Sequence, residues 1–141
     1  MPDVPVQVTR ETIAYFRSEG DPPPAIVELD EITRGHGMYS LHDPVHGLKA
    51  GEHHAGPVVD PNDVGAPDTA SVARVSAWVR DRFPAVDPEP LGAESCLYTS
   101  TADGSFVLER RGRVVVGSAC SGHGFKFAPV VGRRLAGLAL D

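Results

Sequence analysis

The stretch Ser118-Ala119-Cys120-Ser121-Gly122-His123-Gly124-Phe125-Lys126-Phe127-Ala128-Pro129 constrains the fold of this chain more than any other. It follows the apolar run Val114-Val115-Val116 and precedes Val130, Val131, Leu135, Leu138 and Ala139, which recur at helical spacing. That order predicts a buried strand, a glycine-rich turn and a helix N-terminus. Gly122 and Gly124 carry no Cβ, so backbone N–H groups there can approach a ligand closely. The helix N-terminus behind them favours an anionic or electron-rich group. Many α/β proteins contain such a unit as plain structure. Here the Gly-His-Gly-Phe-Lys-Phe string adds a cation and a titratable ring beside the turn.

The remaining composition narrows the class. With 141 residues, 41% apolar and 23% charged, the chain suits one globular domain or two small lobes sharing a core. A net charge of −6 with no basic run argues against nucleic acid or a membrane surface as partner. No apolar run reaches the roughly 18 residues of a membrane span. The start Met1-Pro2-Asp3-Val4-Pro5 has neither the basic nor the apolar region of a signal peptide, and Cys96 and Cys120 make no disulfide framework. A reducing, cytoplasmic setting is expected.

Taken in order, residues 5–17 read as a strand rich in β-branched and aromatic side chains, broken by Pro22-Pro23-Pro24. Ala25–Leu29 and Met38–Leu41 read as further strands about a turn at Arg34-Gly35-His36-Gly37. After a second turn at Asp43-Pro44, residues 47–54 read as a strand flanked by glycines. Residues 56–68 form a polar loop. Asp68 is then the N-cap of a helix carrying Val72, Val75, Trp78, Val79 and Phe83, which Pro84 ends. All but Phe83 are expected to be buried on one face. Residues 85–92 carry two prolines and read as a linker. Strands at 95–100 and 106–109, a turn at Gly112, the Val114–Val116 strand and a last helix complete the chain.

Three places can carry chemistry. In an extended strand Lys49, Gly51 and His53 face one way, so a lysine and an imidazole share a surface with a glycine gap wide enough for a planar ligand. The plain alternative is a solvated edge strand. Cys96 and Tyr98 share a strand face, although a lone strand cysteine is usually a small buried hydrophobe. His123 and Lys126 flank the final turn, where a lysine is more often simple surface. A zinc site from Cys120, His123, Cys96 and His53 or His54 matches no closed framework, so no metal is expected. No Gly-x-Ser-x-Gly elbow supports a hydrolase.

With those motifs in place, the chain resembles the C-terminal half of the monomeric sarcosine oxidase and N-methyltryptophan oxidase family, FAD-dependent oxidases of secondary amines and amino acids. The resemblance runs from about Val6 to Leu140. It is carried by Ser121-Gly122-His123-Gly124-Phe125-Lys126-Phe127-Ala128-Pro129, by Cys96-Leu97-Tyr98-Thr99, and by Gly47-Leu48-Lys49 with Gly51 and His53. It implies that Cys96 holds the flavin through a thioether at its 8α-methyl. Lys49 matches the lysine near flavin N5 that promotes reaction with oxygen, and Lys126 the lysine that pairs with the substrate carboxylate. His53, His123 and Tyr98 match residues lining the site, with Lys49, His53 and Tyr98 on the catalytic side. Gly122, His123 and Gly124 match the flavin-contacting turn, and His123 also the substrate side. The six side chains are expected to converge on one concavity.

The departures shape the expectation equally. Members of the family are more than twice this long and begin with a Gly-x-Gly-x-x-Gly unit that grips the ADP part of FAD; no such motif occurs here. The resemblance therefore implies a truncated, amine-oxidase-like enzyme that passes a substrate hydride to flavin and electrons to oxygen, giving peroxide. FAD is expected to bind weakly or not at all to this chain alone, with a partner chain or homo-oligomer covering an exposed apolar face. The substrate is expected to be a small carboxylated amine or amino acid. The alternative is a stand-alone, flavin-free protein that binds or transforms a carboxylated small molecule; an interaction module is the third reading. The expected fold is α+β. A mainly antiparallel substrate-domain sheet with one helix occupies residues 1–90, and a strand–turn–helix of flavin-domain type occupies 91–141.

Overall fold

The computed structural model describes residues 4–29, 36–118 and 121–140. Arg34 and Gly35 of the expected turn, Cys120, and Met1–Asp3 lie outside them. The architecture is α+β with antiparallel pairing throughout the registered strands, as the sequence predicts. By packing, the chain forms two compact units, Thr9–Leu97 and a second made of Met1–Val8 with Tyr98–Asp141.

The first unit is built on a five-stranded sheet. Its strands are β1 (Gln7–Ser18), β2 (Ile26–Leu29), β3 (Gly37–Asp43), β4 (Gly47–His53) and β5 (Val86–Ser100), in the order β2-β3-β4-β1-β5. One face carries α1 (Thr69–Arg82). The sheet side of this core is Ala14 and Phe16 of β1 with Leu48 and Ala50 of β4; Val75, Val79 and Phe83 supply the helix side. Those sheet residues sit at alternate positions, as a half-buried strand requires. The helix starts where expected: Asp68 Oδ1 accepts from Ala70 N at 3.0 Å, and Thr12 Oγ1 accepts from Asp68 N at 2.9 Å, fixing the cap to β1.

Two expectations are corrected here. Residues 86–92 are not a linker: they are the first half of β5. Pro88 and Pro90 hid it, because proline reads as a strand breaker. β5 lies at the sheet edge, where a missing N–H leaves no ladder bond unmade on the open side. Among the α1 residues, Val75 and Val79 are fully buried, whereas Val72 and Trp78 are half-buried. Trp78 sits at the helix flank because its indole N–H donates to Glu28 Oε2 at 3.0 Å, beside the Arg82–Glu28 pair at 2.7 Å.

A charged group lies in the helix–sheet interface. Glu52, 9% exposed, accepts two hydrogen bonds from Arg74 at 2.8 and 2.7 Å and one from Ser71 Oγ at 2.5 Å. Burial alone would push its carboxyl up; the Arg74 and Ser71 bonds outweigh that and hold it below the usual carboxylate range. A second buried carboxylate, Glu11, accepts the N–H groups of Ala55 and Gly56 at 3.1 and 2.9 Å, pinning the polar loop to β1.

In the second unit β6 (Val107–Arg111) and β7 (Val114–Ser118) form a hairpin. It turns at Gly112, whose φ of +62° suits glycine. After a single 3-10 turn at Phe125–Phe127, α2 (Ala128–Leu140) packs Val131, Leu135 and Leu138 toward the hairpin. A Cβ at Gly117 would stand 2.8 Å from Leu135 Cδ1, so glycine permits this close approach of strand and helix.

Candidate functional site

In the Thr9–Leu97 unit the candidate groups lie on the face of the sheet opposite α1. Leu48, Ala50 and Glu52 point to the helix side, so Lys49, Gly51 and His53 share the other face, as alternation predicts. The hairpin before Lys49 is held by Asp43, whose Oδ1 accepts from Val45 N at 3.0 Å, His46 N at 2.7 Å and His46 Nδ1 at 2.9 Å. The His46 backbone N–H leads these bonds in keeping the Asp43 carboxyl below its ordinary range. In register, Lys49 lies opposite Tyr15 of β1 and Leu41 of β3. Its side chain is half-buried, and among the described residues the ammonium has no ion-pair partner.

Tyr15, which the sequence offered only as a strand former, belongs to this surface. Its phenol donates to Glu94 Oε2 at 3.1 Å, and its ring lies 4.7 Å from that of His46. Burial, the bond to Glu94, and the charges of Glu94, Asp43 and Cys96 together raise the phenol above its ordinary value. Cys96 is half-buried and free; its Sγ meets the Leu97 carbonyl oxygen at 4.0 Å.

The gap expected at Gly51 is not an open slot. A Cβ there would lie 3.0 Å from the Tyr39 hydroxyl, so the Tyr39 ring fills the space the missing side chain leaves. Tyr39 also meets His53 edge-on at 6.5 Å, and His53 meets His54 at 4.1 Å. Tyr39 and Glu94 carried no local motif; Tyr39 is found only through strand register, opposite Gly51, and Glu94 through its bond to Tyr15.

In the second unit the glycine turn has a different occupant from the one its sequence suggests. A Cβ on Gly122 would lie 2.2 Å from Tyr98 Cε2, so the tyrosine ring takes the room beside the glycine. Ser121, 1% exposed, donates its N–H to the Thr99 carbonyl at 2.8 Å and clamps the turn to β5. His123 Nδ1 bonds the Ser121 carbonyl oxygen at 2.7 Å, and its ring stacks on Phe106 at 5.2 Å. Lys126 Nζ donates to the His123 carbonyl at 3.0 Å and lies 5.3 Å from the Phe127 ring centre. Gly124 is ordinary αR backbone at φ −72°, accepting from Phe127 N, so no unusual conformation requires glycine there.

The family model for FAD dependent oxidoreductases (DAO) matches residues 1–138. The chain belongs to that family. Human peroxisomal sarcosine oxidase is 33% identical over 153 residues, covering 98% of this chain and 39% of that protein. Monomeric sarcosine oxidase of Bacillus sp. (strain B-0618) is 30% identical, and N-methyl-L-tryptophan oxidase of Salmonella arizonae 29%. Among solved structures, an open form of NikD, an unusual amino acid oxidase essential for nikkomycin biosynthesis, is similar at a TM-score of 0.72 and 26% identity. It is matched over 96% of this chain and 39% of its own. The chain thus spans about two-fifths of the length of these relatives.

Among the described residues Cys96 offers a half-buried thiol with a long carbonyl contact, and Lys49 a cation without an ion-pair partner; these are the two groups that the resemblance assigns to the isoalloxazine end. For the ADP end nothing fits, because the sequence has no Gly-x-Gly-x-x-Gly unit. The described residues contain no group of His, Cys, Asp and Glu able to hold a metal ion, and no helix long and apolar enough to cross a membrane.

Proposed function

We propose that this chain is the substrate-side portion of an FAD-dependent oxidase of small carboxylated amines or amino acids. The observation that carries the reading is Lys49, half-buried on the helix-free face, without an ion-pair partner among the described residues, on the strand beside Tyr15. A preorganised cation of this kind stabilises negative charge developing on oxygen without reorganising at the moment of reaction. FAD, when bound, supplies the acceptance of a hydride and its delivery to oxygen as peroxide. Cys96 is the residue suited to anchor the ring covalently, and His53 and Tyr98 supply polar side chains on the catalytic side. Lys126 is the cation for the substrate carboxylate, beside His123 on the same turn.

The ADP part of the cofactor is then held by protein outside these 141 residues, on the same polypeptide or on another. The side chains that α2 leaves exposed, Val130 at 67% and Leu140 at 88%, support further protein covering this helix. The test is co-expression with a flavin half that carries a Gly-x-Gly-x-x-Gly unit. Yellow colour and peroxide release with a secondary amino acid are expected. A colourless, well-folded pair would contradict the proposal and favour a flavin-free protein that binds carboxylates.

A further inference from the structure

We propose that Arg10 is the receptor of a small oxyanion, in a cradle made by β1 and the loop 56–65. The site is separate from the flavin reading, since none of the residues given a part in that reading shapes it. An unmet donor carries the proposal. Arg10 Nε is shut off from solvent and has no hydrogen-bond partner among the described residues. A guanidinium offers five N–H donors and no acceptor. Here Nη1 meets the Val64 carbonyl oxygen at 3.4 Å, longer than an ordinary N–H···O bond. Among the described residues no carboxylate pairs with this cation. Buried polar groups nearly always have a partner, and a half-buried charge without one destabilises the fold until an opposite charge answers it.

The surroundings are shaped to this group. Gly65 has a φ of +66°, and a Cβ there would stand 2.1 Å from Arg10 Nη1, so glycine lets the loop lie across the guanidinium. A Cβ on Gly56 would meet the Arg10 carbonyl oxygen at 1.9 Å, so glycine admits the loop against the strand as well. The base of the cradle is fixed. Arg10 N donates to the Pro57 carbonyl at 2.9 Å, and the neighbouring Glu11 spends its carboxylate on Thr9 Oγ1 and on the N–H groups of Ala55 and Gly56. That carboxylate is therefore taken and does not serve Arg10. The cover is held more lightly, by the long Val64 contact and by Ser95 Oγ donating to the Gly65 carbonyl at 3.0 Å. Val64 itself is 38% exposed. An anion entering beneath Val64 and Gly65 meets Nε–H, and the planar fork offers it a second N–H alongside. Two oxygens of one carboxylate or phosphate match that fork.

The test uses the 141-residue chain labelled with 15N and follows the Arg10 Nε–H signal, assigned through its bonds to the Arg10 backbone and by its loss in Arg10→Lys. Sodium acetate and sodium phosphate are titrated at constant pH and ionic strength, with sodium chloride as the reference salt. A saturable shift of Arg10 Nε–H is expected with at least one of the two oxyanions. A response to acetate alone marks a carboxylate site, and a response to phosphate alone a phosphate site. The same compound should raise the thermal midpoint of the parent with increasing concentration and leave that of Arg10→Lys unmoved. A signal that neither compound shifts beyond sodium chloride would overturn the proposal, and so would equal midpoint gains in parent and variant. If Arg10→Lys does not fold, the Nε–H signal of the parent decides alone.

Discussion

Arg74 reaches from α1 to Glu52 of β4 with two hydrogen bonds, 2.8 and 2.7 Å long, so the strand that carries Lys49 and His53 is bolted to the helix through an ion pair. Ser71 adds a third bond to the same carboxylate. Arg74→Ala leaves Glu52 with one partner in a nearly dry interface, and a loss of about 1–3 kcal/mol is expected from the unpaired carboxylate. Urea unfolding of the variant measures it. A midpoint unchanged from the parent would show that water replaces the guanidinium freely.

Glu28 gives the fold an acid-sensitive contact. Hydrogen bonds from Arg82 and Trp78, aided by the Arg82 charge, lower its carboxyl from 4.5 to about 2. The folded-state value is depressed, so the folded form holds fewer protons than the unfolded one in this range. The contribution is therefore complete above 4.5 and is lost as pH falls toward about 2. Trp78 is the single tryptophan of the chain, so its emission reports the loss directly. Over that range the parent should lose more stability than Glu28→Gln. Equal losses would show that the Arg82–Trp78–Glu28 contact adds nothing to folding.

Gly122 is the position where a single methyl group should do most harm. Its φ is +70°, and the added Cβ would meet the Tyr98 ring at 2.2 Å. Gly122→Ala should cost about 1–3 kcal/mol for overpacking and about 1 kcal/mol more for the left-handed backbone. Pairing it with Tyr98→Ala should recover the first part and not the second. If the double variant is no better than the sum of the singles, the two residues do not press on one another.

Trp78→Ala should cost less than the 3–5 kcal/mol of a fully buried tryptophan, about 1–2 kcal/mol, because its ring is half-buried and packs edge-on against Phe83 at 5.7 Å. Thermal unfolding checks the difference. A loss of the full magnitude would place the indole in the core.

What the sequence made legible was local. The two-residue period separates Lys49 and His53 from Leu48 and Ala50, and Asp68 with Pro84 brackets α1 because capping and proline geometry act within a few residues. The early half of β5 escaped notice because Pro88 and Pro90 are tolerable only on an edge, and sheet order is not a local property. Tyr15 meets Glu94 across 79 positions, and Tyr39 covers Gly51 through strand register; neither pairing leaves a mark on neighbouring residues. The glycine turn was legible as a turn. Its contents were not, since Tyr98 rather than a ligand stands at Gly122.

The central claim is that Cys96 and Lys49 serve the ring end of a flavin whose other end is held outside these residues. Intact mass of the denatured chain, after co-expression with a Gly-x-Gly-x-x-Gly flavin half, tests it most directly. The account predicts an added mass of one FAD, abolished by Cys96→Ser and absent from the chain produced alone. An unmodified chain in the presence of the flavin half, or an FAD adduct on the chain produced alone, would contradict it.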